Sequence, residues 1–246
     1  MAVLRVCHLY PGELNIYADR GNIAVLRRRC EWRGHRLEVL EAGIGDPIPA
    51  DHDLYYLGGG QDRDQLVVAE DLPATKAAAL RSAMADGAVL LAVCGGFQLA
   101  GHGYTAVDGS RMPGIGLLDA DTVAGPTRLI GDLVIEAELE GERHRVVGFE
   151  NHAGRTTLGP GSVPLGRVSS GHGNNGADGG EGAVTGRAIG TYLHGPLLPK
   201  NPWLADTVIR WGLEHAGGAP VRLDPLEDHL EESAHAAAVA RAGVRR

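Results

Sequence analysis

The chain has little positive charge, few cysteines and no long apolar run, and each shortage argues against a class of protein. Its 31 Asp and Glu residues outnumber its 23 Lys and Arg residues, for a formal net charge of −8. This balance argues against a nucleic-acid or anionic-membrane partner that is held by electrostatics. No apolar run approaches the roughly 20 residues that span a bilayer. The three cysteines, Cys7, Cys30 and Cys94, are odd in number and lack metal-ligand spacing, so we expect free thiols in a reducing cytoplasm.

Aromatic residues are also scarce, whereas glycine is abundant. With two Phe and three Trp, the core must consist mostly of Val, Leu, Ile and Ala. Glycine contributes 37 of the 246 residues, about double its usual share of ~7%, which predicts many tight turns and loops.

Strand-like and helical segments alternate along the first half of the chain. The pattern predicts helices over residues 22–34 and 75–86, and strands over residues 3–9, 37–40, 54–57 and 88–93. Such alternation is typical of a parallel sheet that is covered on both faces. Ligands of such sheets bind beyond the carboxyl ends of the strands, so the residues that follow the strands are the candidates for a functional site.

Short strands with turn signals between them follow from about residue 113. We expect them to continue the same sheet as an antiparallel extension, over residues 114–119, 133–139, 145–150 and 166–168. Residues 169–182 are rich in Gly, Asn and Ser, and they predict a mobile hairpin loop rather than a domain boundary. A further strand is predicted over residues 183–189.

Helical patterns end the sequence. Asn201 and Pro202 predict the N-cap and the first position of a helix that runs to about Ala216. The last residues are charged and rich in alanine, and they predict a final helix or a frayed tail. The expected organisation is therefore one domain over residues 1–217 and a partly helical tail over residues 218–246.

The segment around Cys94 is the first candidate for chemistry. A short buried strand runs directly into Cys94, Gly95 and Gly96, as in a nucleophile elbow, where a sharp turn from strand to helix exposes the side chain. A thiol at a helix N-terminus is favoured as thiolate, and the backbone N–H groups after it can hold an oxyanion. A buried, inert cysteine is the alternative interpretation.

Two of the eleven histidines are candidates for the base that would activate Cys94. His194 follows a predicted strand, where a parallel sheet would place it beside Cys94, and it is favoured on that ground over His152. A metal site built from His152, His172 and His194 is disfavoured, because no pair has ligand spacing on a helix. The triple glycine at residues 58–60 also follows a strand, and it is either a simple turn or a backbone amide donor aimed at Cys94.

Six motifs are spread over most of residues 3–215. Two of them are Ala-x-Cys-Gly-Gly-Phe-Gln-Leu around Cys94 and Tyr-Leu-His-Gly-Pro around His194, and four further segments lie at residues 10–22, 58–62, 148–152 and 171–176. In combination they resemble class I glutamine amidotransferase domains of the cobyric-acid-synthase type. The closer resemblance within this group is to the GatD family, the glutaminase subunits of lipid II isoglutaminyl synthase.

The resemblance implies a three-layer, flavodoxin-like fold of the α/β class, with a mostly parallel central sheet and an antiparallel extension. It also implies a glutaminase. Cys94 would attack the side-chain amide carbon of glutamine, form a thioester and release ammonia, and water would complete the cycle. His194 would take the thiol proton, protonate the departing ammonia and activate the water.

The resemblance also assigns residues to the binding of substrate. The backbone amides of Gly60 and Gly95 would form the oxyanion hole. Arg128 would bind the α-carboxylate of glutamine, and Gln98, one turn into the helix after the elbow, would help to hold the substrate.

The chain departs from many class I enzymes at one position. Those enzymes have a glutamate two residues after the histidine to orient it, whereas Pro196 stands there in this chain, as in GatD and its cobyric-acid relatives. His194 is then oriented by a backbone carbonyl, by another acid of this chain or by a carboxylate of a partner.

A partner is implied because free ammonia is useful only where another site consumes it. The GatD resemblance implies a heterodimer with a MurT-type, Mur-ligase-like subunit, in which ATP and Mg are bound by the ligase and no cofactor or metal by this chain. The ligase would amidate D-glutamate of lipid II to D-isoglutamine in peptidoglycan synthesis. The alternatives are a glutaminase of another amidation pathway, such as the corrinoid type, and a non-catalytic binding module of the same fold.

Overall fold

A computed structural model describes residues 1–16 and 20–243 of the chain. Its strands are β1 (Val3–Leu9), β2 (Arg36–Ala42), β3 (Leu54–Leu57), β4 (Val89–Val93), β5 (Gly103–Thr105), β6 (Arg111–Pro113), β7 (Ala120–Leu139), β8 (Glu142–Leu158), β9 (Gly166–Ser170), β10 (Gly180–Glu181), β11 (Ala183–Thr185) and β12 (Ala188–Thr191). Its α-helices are α1 (Arg20–Glu31), α2 (Asp62–Asp71), α3 (Ala77–Ala85), α4 (Gly95–Ala100), α5 (Leu197–Lys200), α6 (Pro202–Gly217) and α7 (His229–Arg241). Tyr17, Ala18 and Asp19, which belong to the motif at residues 10–22, lie outside the described residues.

The first sheet is built from the most apolar segments of the chain. Its strands are parallel in the order β2-β1-β3-β4-β12, and β11 pairs antiparallel with β12 at the edge. Every residue of β3 and β4 is buried, as expected for strands that are covered on both faces. The order of the parallel strands is flavodoxin-like, so the predicted α/β class and the mostly parallel central sheet are confirmed, and the antiparallel strand of this sheet is β11.

The strands between residues 103 and 181 form a second sheet, so the prediction that they extend the first sheet was wrong. The order of the second sheet is β10-β9-β7-β5-β6, and β8 pairs with β7 as well. The strands cannot join the first sheet beside β12, because β11 already occupies that edge. The pair formed by β7 and β8 is much longer than predicted, and its register shifts between Ala124 and Leu129.

The strand predicted over residues 114–119 is also wrong. Its backbone amides donate instead to carbonyls at the end of α4: Ile115 to Leu99, and both Leu117 and Leu118 to Ala100. The last carbonyls of a helix lack partners inside the helix, so this segment is held against the helix end and does not join a sheet.

Two helical segments differ from the prediction. The predicted strand over residues 54–57 is confirmed, but the next helix, α2, was missed, and a π-helical turn at Leu72–Lys76 joins α2 to α3. The apolar residues of the missed helix are not confined to one face, since Leu66 and Val67 are exposed while Val68 is buried, and this weakens the pattern from which helices are recognised. None of the described helices is long and apolar enough to cross a membrane.

The glycine-rich segment at residues 169–182 connects β9 to β10, which pair antiparallel as a hairpin would. It is held by many hydrogen bonds. Asn174 is 1% exposed, and its side chain donates to Gly182 O and accepts from Gly182 N–H, both at 2.8 Å. Asn175 accepts from the backbone of Ala177 and Asp178 and donates to Thr156 O. The glycines of residues 169–182 therefore allow tight turns within a loop that is held by hydrogen bonds.

The C-terminal segment packs on the domain through charge and through a small apolar cluster. The Arg29 guanidinium, on α1, binds the carboxylates of Asp206 and Asp228. Val239 of α7 packs against Val134 and Val147. The helix before it, α6, begins at Pro202 as predicted and ends at Gly217, and its C-cap residue Gly218 has a φ of +64°.

Asn201 lies at the N-cap position of α6, but its side chain forms hydrogen bonds with residues outside this helix. It accepts from Val147 N–H at 2.8 Å and donates to the carbonyls of Val147 and Leu197 at 2.8 and 2.7 Å. The side chain therefore joins α5 and α6 to β8, and it makes no capping hydrogen bond.

Candidate active site

Cys94 lies in a sharp turn between β4 and α4. Its φ is +50° and its ψ is −105°, and a positive φ is uncommon for any residue with a side chain. Gly96 permits the turn, because a Cβ there would stand 2.7 Å from Gly58 O, to which the Gly96 N–H donates at 3.1 Å. Strained backbone of this kind clusters at functional sites, and here it has the geometry of a nucleophile elbow.

His194 and Cys94 lie beside the same glycine, Gly59. A Cβ built on Gly59 would stand 2.8 Å from His194 Cε1 and 3.3 Å from Cys94 Cβ. The two residues meet because β4 and β12 are neighbouring parallel strands with Val93 opposite Thr191, and their carboxyl ends share one edge of the sheet. The structure thus brings together the pair that the sequence suggests.

The backbone of His194 forms hydrogen bonds with a strand of the second sheet. Although β12 ends at Thr191, His194 donates its N–H to Phe149 O at 2.9 Å and accepts from Phe149 N–H at 3.1 Å. Two residues later, Pro196 packs against α1, where a Cβ on Gly21 would stand 2.7 Å from Pro196 Cγ. The position that carries an orienting glutamate in many class I enzymes therefore serves packing in this chain.

The surroundings of His194 favour its neutral form. Burial, together with the nearby positive charges of His152 and Arg128, lowers the pKa of His194 to about 3. The residue is fully buried, and burial disfavours the charged imidazolium. At neutral pH the ring is therefore uncharged, with one ring nitrogen free of a proton, and this form can accept a proton from Cys94.

Cys94 opens into a cleft of about 450 Å³. The cleft brings together residues from both sheets and from the segments between their strands, namely Ile16, Gly60, Gln61, Arg63, Gln65, Cys94, Gln98, Tyr104, Arg128, Asn151, His152, Ala153 and Gly154. Most of the lining groups are polar, as suits a small polar substrate.

Arg128 reaches the cleft from the irregular part of β7. Its Nε donates to Asn151 Oδ1 at 2.7 Å and its Nη2 donates to Asn151 O at 2.8 Å. These two bonds orient the guanidinium, and its remaining N–H groups can bind a carboxylate. The register shift between Ala124 and Leu129 gives this arginine its place beside the cleft.

Gln98 lines the same cleft from α4, and its side-chain amide donates one hydrogen bond within the protein. Its Nε2 donates to the hydroxyl of Tyr192 at 3.1 Å. That hydroxyl lies 2.7 Å from Thr156 Oγ1, which lies 2.7 Å from Thr122 Oγ1. The network joins α4, β7, β8 and the end of β12 beneath the cleft, so it fixes the position of the Gln98 amide.

Gly60 and Gly95, predicted as the oxyanion hole, lie on either side of one side chain. A Cβ on Gly95 would collide with the amide of Gln65, and a Cβ on Gly60 would stand 3.8 Å from Gln65 Cγ. Gly60 is also crowded by Leu14, whose Cδ2 would stand 2.5 Å from the added Cβ. A side chain at either position would therefore displace its neighbour, and glycine lets these groups approach the backbone closely.

His152, the other candidate base, lies in the cleft wall. Its Nδ1 lies 2.8 Å from Gly154 O, and its ring stacks on Tyr192 with 3.6 Å between ring centroids. Its Nε2 faces Glu150 at 3.6 Å, and the other oxygen of Glu150 lies 2.8 Å from His172 Nδ1. Among the residues that the structure describes, no cluster of three or more ligating side chains could hold a metal ion.

Several cleft residues were not among the predicted site residues. Gln65 lies on α2, a helix that the sequence pattern did not reveal, and Tyr104 lies on the short strand β5. Asn151 of the cleft lining and Glu150, which is buried beside His152, belong to the predicted motif at residues 148–152, which could have indicated them. Their roles depend on contacts with residues far away along the chain, and motif spacing does not report such contacts.

Comparisons with known proteins agree with this geometry. Residues 5–202 match the CobB/CobQ-like glutamine amidotransferase domain. The chain is 38% identical over 243 residues to subunit GatD of the glutamine-hydrolysing lipid II isoglutaminyl synthase of Staphylococcus aureus, covering 98% of this chain and 97% of that one. The corresponding subunit of Streptococcus pneumoniae is 38% identical over 93% of this chain and 88% of its own.

More distant relatives and solved structures share the fold. The cobyric acid synthase of Rhodobacter capsulatus is 32% identical over 80% of this chain but only 41% of its own length. PurLQS of Thermotoga maritima has a TM-score of 0.53 at 17% identity, covering 87% of this chain and 96% of that chain. The acivicin-bound glutaminase domain of Trypanosoma brucei CTPS has a TM-score of 0.55 at 10% identity, with coverages of 90% and 96%. The family match over most of the chain and the near-full-length relatives show that the chain belongs to the CobB/CobQ-like glutamine amidotransferase domain family.

Proposed function

We propose that this protein is the glutaminase subunit of a lipid II isoglutaminyl synthase, which hydrolyses L-glutamine to glutamate and ammonia. The observation that carries the proposal is Cys94, held at a positive φ in an elbow, with the side chains of Cys94 and His194 both beside Gly59. The 38% identity to GatD subunits over nearly the whole chain supports the assignment to this pathway.

The proposed reaction begins with proton transfer from the Cys94 thiol to the neutral ring of His194. The sulfur then forms a bond to the side-chain amide carbon of glutamine, and the negative charge that develops on the amide oxygen is met by the backbone N–H groups of Gly60 and Gly95. One such donor is typically worth roughly 10²–10³ in rate. The C–N bond breaks as His194 returns the proton to the leaving ammonia, which leaves a thioester on Cys94.

Water completes the cycle. His194 takes a proton from the water as it attacks the thioester carbon, and it returns this proton to the Cys94 sulfur as the C–S bond breaks and glutamate is released. We propose that Arg128 binds the α-carboxylate of glutamine throughout, since Asn151 holds its guanidinium at the cleft wall. Gln98, fixed by Tyr192, is proposed to hold the substrate from the floor of the cleft.

We propose a MurT-type, Mur-ligase-like subunit as the consumer of ammonia. The GatD relatives are named as subunits of a synthase, which supports a heterodimer for this chain too. The ligase would bind ATP and Mg, and it would amidate D-glutamate of lipid II to D-isoglutamine in the cytoplasm during peptidoglycan synthesis.

The direct test measures ammonia and glutamate released from glutamine by the purified chain with its ligase partner. Cys94→Ala should abolish release, whereas Cys30→Ala, which removes another buried thiol that does not line the cleft, should retain it. Undiminished release by Cys94→Ala would exclude Cys94 as the nucleophile. A second assay follows lipid II amidation by the reconstituted pair, and active glutaminase without lipid II amidation would favour another pathway, such as corrinoid amidation.

A further inference from the structure

Gln65, on helix α2, places a buried amide at the cleft that holds Cys94. The residue is 4% exposed and belongs to the cleft lining. Its backbone N–H donates to Gln61 O at 2.9 Å, but its side-chain amide forms no hydrogen bond with the part of the chain that the structure describes. Buried amides in proteins are nearly always hydrogen-bonded, so this amide is available to a ligand of the cleft.

The side chain of Gln65 runs past both glycines of the proposed oxyanion hole. Its Cγ would stand 3.8 Å from a Cβ built on Gly60 and 3.0 Å from a Cβ built on Gly95. The Cβ on Gly95 would also stand 2.7 Å from Gln65 Cδ and collide with Gln65 Nε2. The amide therefore ends against the residue that directly follows Cys94. It can do so because glycine leaves that space open.

Two other polar side chains of the cleft already have partners within the protein. Gln98 Nε2 donates to the Tyr192 hydroxyl at 3.1 Å, and the Arg128 guanidinium donates to Asn151 at 2.7 and 2.8 Å. Gln65 differs from both, because its two N–H groups lack partners among the described residues. Asn and Gln side chains serve as oxyanion donors together with backbone N–H groups in acyl transfer, which is the class of reaction proposed for Cys94.

We propose that Gln65 is a catalytic residue: its Nε2 donates a hydrogen bond to the oxyanion that forms when Cys94 attacks a carbonyl carbon, together with the backbone N–H groups of Gly60 and Gly95. The inference rests on the function proposed above. The amide carries no charge, so it stabilises the oxyanion without favouring either protonation state of the Cys94 thiol.

The first test compares the kinetics of Gln65→Met with those of the unmodified chain, each with its ligase partner. Methionine has a similar length to glutamine but no N–H group. The kcat for glutamine should fall roughly 10²–10³-fold, and the KM should change much less, because the lost interaction forms in the transition state. Glu70→Met is the matched control, since Glu70 is exposed on the same helix and its loss should leave kcat unchanged.

The second test needs no glutamine. 4-Nitrophenyl acetate acylates the Cys94 sulfur through a tetrahedral oxyanion, whereas iodoacetamide alkylates the same sulfur without forming one. The Cys94→Ala variant gives the background reaction of other groups, and mass spectrometry identifies the modified cysteine. In Gln65→Met, acylation should fall about tenfold or more while alkylation keeps its rate. A merely structural role for Gln65 would lower both rates by the same factor.

Three results would overturn the proposal: equal acylation rates in Gln65→Met and the unmodified chain, an equal loss of acylation and alkylation, or a raised KM with an unchanged kcat. Gln65→Leu, which also lacks the amide, repeats both tests if Gln65→Met does not fold. A chain whose acylation depends on Gln65 but which releases no ammonia from glutamine would contradict the proposed function and leave this inference intact.

Discussion

The cleft around Cys94 and the contact that anchors the C-terminal segment differ in how the charge and strain of their buried groups are compensated. In the cleft, Cys94 has a positive φ and His194 is buried with a lowered pKa, and both features cost stability. In the C-terminal contact, Arg29 is just as buried, at 3% exposure, but it binds the carboxylates of Asp206 and Asp228 at 2.5–2.8 Å. Substitutions in the cleft should therefore change activity more than stability, and those in the C-terminal contact should do the reverse.

The largest effect should come from His194. His194→Asn removes the proposed base, and general acid–base catalysis contributes typically 10²–10⁴-fold, so the rate of glutamine hydrolysis should fall by about 10³-fold. The melting temperature should not fall, because a buried titratable ring is replaced by a smaller amide. Steady-state kinetics and thermal denaturation of the same preparation check both statements. A drop in melting temperature as large as that of a core mutant would contradict the expectation that substitutions in the cleft affect activity more than stability.

Arg29→Ala should give the next largest effect, on stability. Removal of the guanidinium leaves Asp228 without this counter-charge and leaves Asp206 paired with Arg33, and breaking a buried pair costs about 3–5 kcal/mol. Urea denaturation would measure the free energy of unfolding, while activity per folded molecule should stay near wild type. The neighbour Arg28 is the control, since its pair with Glu31 is exposed and its loss should cost less than about 1 kcal/mol.

Gly59→Ala should separate the catalytic pair with a single methyl group. The added Cβ would stand 2.8 Å from His194 Cε1 and 2.9 Å from Ile16 Cγ2, so the imidazole must move. A displacement of about 1 Å can cost roughly 10²-fold in rate, and we expect this loss in kcat. Gly12→Ala, where an added Cβ meets nothing within 4 Å, should leave kcat unchanged. Equal kcat values for the two variants would show that Gly59 does not set the spacing.

The smallest of the four effects should appear in substrate binding. Arg128→Met removes the proposed partner of the α-carboxylate, and a hydrogen bond to a charged group is worth about 1.5–3 kcal/mol. The KM for glutamine should therefore rise roughly 10- to 100-fold, with a smaller change in kcat. Arg145→Met, which removes an exposed pair with Glu136, should leave the KM unchanged. An unaltered KM in Arg128→Met would assign the carboxylate to another group.

Local sequence patterns predicted one part of the molecule well. The strand over residues 54–57 and the position of Pro202 at the start of α6 follow from apolar runs and from helix-start preferences. The elbow at Cys94 follows from a buried strand that runs into two glycines. These features depend on neighbours within a few residues, and such neighbours are visible in the sequence.

Other elements depended on distant contacts and were mispredicted. Residues 114–119 resemble a strand, yet their amides bond to carbonyls at the end of α4. The strands after residue 103 resemble an extension of the first sheet, yet β11 closes that edge and they form a second sheet. Hydrogen bonds over such distances are set by which edges and helix ends are still open, and local periodicity does not report this.

The sequence by itself determined the α/β class, the elbow at Cys94 and the strand-end position of His194, because each arises from a run of neighbouring residues. Only the tertiary structure decided that Gly59 lies beside both side chains, that Asn151 holds Arg128 and that Glu150 lies beside His152. These contacts join β8 and the second sheet to the strand ends of the first. Their physical cause is the pairing of Phe149 with His194, which brings together residues that are far apart in the chain.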